Sequence, residues 1–112
     1  MKKNSWITIV TILTVIILAY FLVNKPHPET SAEIAKCIGE NSELYVQLGC
    51  YACKIQEEMF GDNYQYLNAI DCILEKEKCK EKQIEATPTW IINGKKYRGV
   101  QTIAELQNLT GC

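Results

Sequence analysis

Eighteen consecutive residues, Trp6 to Val23 (WITIVTILTVIILAYFLV), carry no charge. As a helix rising about 1.5 Å per residue, the run covers about 27 Å, close to the roughly 30 Å hydrocarbon core of a bilayer. Setting residues 1–23 aside leaves 89 of the 112 residues. That is enough for one small domain and too little for a second core. The remainder holds ten of the twelve Lys and Arg, all thirteen Asp and Glu, and all six cysteines, for a net charge of −3. Phosphate backbones call for a basic patch, so this balance offers no electrostatic reason to expect a nucleic-acid partner.

The apolar block reads as a retained anchor rather than a cleaved signal. A signal's apolar region usually runs about 7–15 residues and ends in a small-x-small cleavage site. Here the run is longer, and Asn24-Lys25-Pro26-His27-Pro28 follows it with no Ala-x-Ala and no nearby cysteine to take a lipid. Lys2, Lys3 and the amino terminus on one side outweigh Lys25 on the other, which predicts a cytoplasmic N-terminus. The expected organisation is a cytoplasmic end over residues 1–5, a transmembrane helix over 6–23, a stiff Pro-containing linker over 24–29, and an extracytoplasmic domain over 30–112. That compartment, periplasmic or extracellular, is one where disulfides persist. His27, the only histidine, reads as a solvated linker residue. Thr8, Thr11 and Thr14 share a helix face. They read as hydroxyls bonded back to their own helix, with a packing stripe for another membrane helix as the sharper alternative.

Beyond the linker, Thr30-x-x-Glu33 has the form of a capping box, and Ile34, Cys37 and Ile38 make an apolar helical face that Gly39 would stop. Leu44, Val46 and Leu48 alternate with polar positions, predicting a strand with one buried face. Gly49 ends it, and Cys50-Tyr51-Ala52-Cys53 opens a helix whose apolar side would be Ala52, Ile55 and Met59. Tyr64 to Ile70 reads as a second strand, and Glu75 to Lys82 (EKEKCKEK) as a short solvated helix. Trp90 to Ile92, Asn93-Gly94, and Lys95 to Val100 predict a hairpin with a type I′ turn. Thr102-x-x-Glu105 opens a last helix that Gly111 closes. The predicted order is α, β, α, β, α, β, β, α.

Cys50 stands where a strand gives way to a helix N-terminus, whose unpaired N–H groups and dipole favour an anion and lower the thiol pKa from about 8.5. A thiolate is the species that attacks a disulfide, and a stabilised one also leaves well. The two-residue gap sets Cys53 one turn in, within reach of Cys50. This pair predicts thiol–disulfide chemistry, with Cys50 as the outer, attacked or attacking sulfur and Cys53 as the resolving one. Haem attachment would need His at Lys54. Zinc would need a second close pair, which Cys72 and Cys79 do not make. No metal is expected, and no cofactor beyond the redox disulfide.

Ala86-Thr87-Pro88-Thr89-Trp90 puts a proline directly before a strand, where it removes a ladder donor. Together with the strand, the Cys50-x-x-Cys53 helix, the Asn93-Gly94 hairpin and the final helix, this order resembles the thioredoxin superfamily across residues 43–112. The wording from Pro88 to Lys95, with Gly99-Val100-Gln101, is most similar to the thioredoxin-like domain fused to bacterial homologues of vitamin K epoxide reductase. The resemblance implies a thioredoxin-like α/β fold, a central mixed sheet flanked by helices, with Pro88 in cis beside the cysteine pair. Cis is accessible because an X–Pro bond costs only about 0.5–1 kcal/mol. It also implies that the Thr87 backbone pairs with a substrate segment, with Pro88, Tyr51 and Ala52 completing the substrate-binding surface.

Three departures qualify the resemblance. Gly49 stands where many relatives carry Trp, Tyr51-Ala52 lacks a tuning Pro or His, and no Asp occupies the Leu44, Val46, Leu48 face. The last slightly favours an oxidase or a specialised partner. The four remaining cysteines divide into two questions. A Cys72–Cys79 structural disulfide is the simplest reading, holding a polar loop by about 2–3 kcal/mol, with a second redox pair as the alternative. Cys37 with Cys112 stays open, because the family usually sends its first and last helices to opposite sheet faces. The expected function is a membrane-anchored, extracytoplasmic oxidoreductase that oxidises protein thiols and is itself reoxidised by a quinone-linked membrane partner of the vitamin K epoxide reductase type. The alternatives are a reductase dedicated to an apocytochrome or copper-site client, and a non-enzymatic disulfide-stapled adaptor.

Overall fold

The computed structural model describes residues 2–24 and 30–112, so most of the expected linker, with His27, lies outside the described residues. Helix α1 (Lys2–Val23) is long and apolar enough to cross a membrane, and none of its side chains is buried by protein. The hydroxyls of Thr8, Thr11 and Thr14 donate to the carbonyls of Asn4, Thr8 and Thr11 at 2.8 Å each. Each thereby satisfies its polar group within the helix, as an apolar solvent requires.

The domain is a four-stranded sheet in the order β2-β1-β3-β4, built from β1 (Glu43–Val46), β2 (Ala69–Asp71), β3 (Thr89–Ile92) and β4 (Lys95–Arg98). β1 runs parallel to β2 and antiparallel to β3, and β3 pairs antiparallel with β4. On one face Leu44, Trp90 and Ile92 pack with Ala35 and Ile38 of α2 (Ala32–Glu40), Phe60 of α3 (Tyr51–Phe60) and Leu106 of α5 (Ile103–Thr110). On the other, Tyr45 and Ile70 pack with Cys79 of α4 (Lys76–Glu81). This is the predicted element order and a thioredoxin-like arrangement, with one 3-10 helix (Gly61–Tyr66) added between α3 and β2.

Several local expectations are corrected. The first strand does not alternate between a buried and a wet face. Leu44 and Tyr45 are both buried, and Leu48 lies beyond the strand, 62% exposed. Helices cover both faces of the sheet, so a central strand buries neighbouring residues on opposite sides. Tyr64 to Tyr66 is helical rather than extended. Asn63 Nδ2 donates to the Thr30 carbonyl at 2.5 Å, and Lys36 Nζ sits 4.7 Å above the Tyr66 ring, so tertiary contacts override aromatic strand preference.

Gly39 does not stop α2. It sits inside the helix, at a position where a Cβ would collide with the Tyr66 carbonyl oxygen. The α2 cap is Ser31, whose hydroxyl accepts from the Ile34 N–H, while Thr30 donates to the Met59 carbonyl at 3.3 Å. The buried stripe of α3 is Cys53, Gln56 and Phe60, not Ala52, Ile55 and Met59. Helices α2 and α5 share one sheet face, contrary to the family tendency, and Cys37 and Cys112 are disulfide-bonded with Cα atoms 6.0 Å apart. The hairpin turn has positive φ at Asn93 (51°) and Gly94 (79°), as type I′ demands. At α5 the reciprocal Thr102–Glu105 capping box is present.

Candidate active site

The chain leaves β1 at Val46 and turns through Gly49, whose φ of 83° is open to glycine without strain. Cys50 then caps α3. Its backbone is extended, and its sulfur accepts the Cys53 N–H at 3.1 Å. That bond and the helix dipole both favour negative charge on the Cys50 sulfur once the pair is reduced. Cys50 and Cys53 are disulfide-bonded, with Cα atoms 5.2 Å apart. Cys53 is 6% exposed, against the half-buried Cys50. Of the two sulfurs, Cys50 is therefore the one on the solvent side.

Thr87 and Pro88 come from a distant part of the chain to stand against this pair. The Thr87–Pro88 peptide is cis, and the Thr87 carbonyl oxygen lies 3.5 Å from Cys50 Sγ. Pro88 is buried, and its carbonyl accepts the Gly99 N–H at 2.8 Å, tying this segment to the end of β4. The Thr89 hydroxyl donates to the Ala86 carbonyl at 2.6 Å and closes the turn. Tyr51 is 79% exposed beside Cys50, and Ala52 is half-buried.

The structure thus gathers Cys50, Cys53, Thr87 and Pro88, with Tyr51 on the rim. Cys72 and Cys79 are disulfide-bonded to each other and pack against Tyr45 and Ile70 on the opposite sheet face.

A groove of about 490 Å³ opens beside the pair, lined by Leu48, Cys53, Glu57, Tyr64 and Asp71 among others. Burial, then the carboxylates of Glu57 and Asp71, push the Tyr64 phenol above its ordinary value. These two carboxylates stand in the cysteine groove although the first strand carries no Asp. Among the described residues, no three His, Cys, Asp or Glu side chains are grouped to hold a metal ion.

Sequence reasoning missed Gln56. It is 0% exposed, one turn below Cys53 on the same buried stripe. Its Oε1 accepts from Trp90 Nε1 at 3.0 Å and from the Gln101 N–H at 2.7 Å, and its Nε2 donates to the Gln101 carbonyl at 3.0 Å. The available signal was Trp90, since a buried indole N–H needs an acceptor.

A family model described as thioredoxin matches residues 13–110. The thiol-disulfide oxidoreductase LTO1 of Arabidopsis thaliana is 33% identical over 97 residues, which cover 79% of this chain and 25% of that protein. The chain therefore spans about a quarter of that relative's length. Among solved structures, the alkylhydroperoxide reductase component AhpF of Enterococcus faecalis aligns over 84% of this chain and 50% of its own, at 24% identity and a TM-score of 0.49. The separate N-terminal domain of AhpF aligns over 84% and 51%, at 24% identity and a TM-score of 0.46.

Proposed function

This chain belongs to the thioredoxin family, and from that premise we propose that it is a membrane-anchored, extracytoplasmic thiol–disulfide oxidoreductase that oxidises protein thiols. The observation carrying the proposal is the half-buried Cys50 sulfur at the N-cap of α3, bonded to buried Cys53 and 3.5 Å from the Thr87 carbonyl. A substrate thiolate attacks Cys50, the Cys50–Cys53 bond breaks, and Cys53 leaves as a thiolate and takes up a proton. A second substrate thiolate then attacks the substrate sulfur of the mixed disulfide and expels the Cys50 thiolate. The substrate leaves with one disulfide, and Cys50 and Cys53 hold the two electrons. A quinone-linked membrane oxidoreductase, such as a vitamin K epoxide reductase homologue, accepts those electrons and restores the bond.

Two further observations support the setting. Helix α1 supplies a span of membrane length, with Lys2 and Lys3 at the end that the charge rule keeps cytoplasmic. The described part of the domain begins at Thr30, pinned to Met59 and Asn63 at the far end of α3. Cys50 caps the near end, about 15 Å away along the ten-residue helix, which leaves the redox pair open to substrate.

The test is turnover on a reduced, unfolded protein, together with the reduction potential. Cys50→Ser must abolish oxidation, and Cys53→Ala must trap a mixed disulfide with clients in cells. A potential of about −120 mV supports oxidation, and one of about −270 mV would assign the site to a dedicated reductase.

A further inference from the structure

Gln56 is the one fully buried polar side chain of α3, and the chemistry above leaves it without a role. A buried carboxamide is costly to desolvate unless its groups are paired, and here both ends are. Besides Met59 Sδ on the same helix, 3.5 Å from its Nε2, its partners belong to two other parts of the chain. Trp90 lies in β3, two residues after Pro88, and Gln101 lies in the turn that leads into α5. That turn is also joined to the proline segment, because the Gly99 N–H donates to the Pro88 carbonyl.

We propose that Gln56 is a positioning residue of the redox site. Its carboxamide holds the cysteine helix against the strand that follows Pro88, and so sets how closely the Thr87 carbonyl approaches Cys50. The inference rests on the oxidoreductase reading and adds a residue that tunes it without touching substrate.

The physical consequence has a definite sign. Two groups act on the Cys50 sulfur in opposite senses. The Cys53 N–H, 3.1 Å away, favours a thiolate, and the Thr87 carbonyl oxygen, 3.5 Å away, favours a neutral thiol that can donate to it. The first contact lies within a single helical turn and survives small movements of the helix. The second spans two segments and depends on the clamp. Loosening the clamp therefore weakens the thiol-favouring contact more than the thiolate-favouring one. Cys50 becomes more acidic, the reduced form is stabilised, and the disulfide becomes a stronger oxidant.

The test uses the full chain in detergent, with Gln56→Met to remove the carboxamide at similar length and Trp90→Phe to remove the donor. The readouts are the equilibrium constant with glutathione and the pH dependence of Cys50 alkylation. Each variant should shift the constant towards the reduced protein by about tenfold, about 30 mV for this two-electron couple, and move the alkylation midpoint to lower pH. The double variant should shift no further than Gln56→Met alone, since Gln56→Met already removes the Trp90–Gln56 bond that Trp90→Phe breaks. Ile38→Val, which loosens the same core from α2 and touches none of the Gln56 hydrogen bonds, should leave both readouts unchanged. A shift below threefold in both single variants, a shift towards the oxidised protein, or an equal shift in Ile38→Val would overturn the assignment. Absence of thiol exchange in the unsubstituted protein would instead overturn the oxidoreductase reading. If Gln56→Met does not fold, Trp90→Phe alone decides.

Discussion

The two disulfides outside the redox site should differ in their contribution to stability, and the chain connectivity gives the size of the difference. Cys37 and Cys112 are 75 residues apart in sequence, and Cys72 and Cys79 are seven apart. Cross-linking removes conformational freedom from the unfolded chain in proportion to the logarithm of the loop length. This gives about 4.5 kcal/mol for the long loop and about 2.4 kcal/mol for the short one. The long staple also does more in the folded state, because it joins α5 and its buried Leu106 to α2, whereas the short one holds a six-residue helix on the other face. The assay is urea unfolding of the oxidised full chain in detergent, comparing Cys37→Ser/Cys112→Ser with Cys72→Ser/Cys79→Ser at constant slope. The expected order is a loss about twice as large for the first pair. Equal losses, or a larger loss for the short loop, would refute the loop-entropy reasoning and place the stabilisation in local native contacts.

Replacing Gly39 with Ala should destabilise the domain by about 2 kcal/mol despite the better helix propensity of Ala, because the new Cβ meets the Tyr66 carbonyl oxygen; a raised urea midpoint would contradict this. The phenol of Tyr45 is pushed up by burial, then by its hydrogen bond to Glu43 and by the Glu43, Glu75 and Glu81 charges. A raised folded-state value means that its contribution is complete below pH 10, the unfolded value, and is lost as pH rises beyond it. Tyr45→Phe should therefore flatten the alkaline fall in unfolding free energy relative to the unsubstituted chain, and unchanged slopes would count against the burial argument. Tyr64→Phe should act in the same direction in the same titration, since burial, Glu57 and Asp71 raise that phenol as well.

Much of the candidate site was legible in the linear chain because its signals are local. A two-residue gap between Cys50 and Cys53, a proline ahead of Trp90-Ile91-Ile92, an Asn93-Gly94 turn and a Thr102–Glu105 box each act within a few residues, so spacing alone carries their geometry. The Tyr64 segment misled because its aromatic residues suit a strand and a packed 3-10 turn equally well, and only Asn63, Thr30 and Lys36 decide between them. Gly39 and Gln56 escaped for the same reason from opposite directions. One lacks a side chain so that another backbone can approach, and the other hides a polar group whose partners lie 34 and 45 residues away.

By itself, then, the sequence determined an apolar span of bilayer length, one small domain beyond it, the cysteine pair at a helix start and the order of elements, all of which follow from composition and short-range periodicity. Tertiary structure decided that Cys37 meets Cys112, that α2 and α5 share a face, that Tyr45 is buried opposite Leu44, and that the Thr87 carbonyl comes to rest beside Cys50. Those outcomes depend on which distant surfaces fit together once the sheet has formed, and the free energy of that fit is shared among residues that no window along the chain contains.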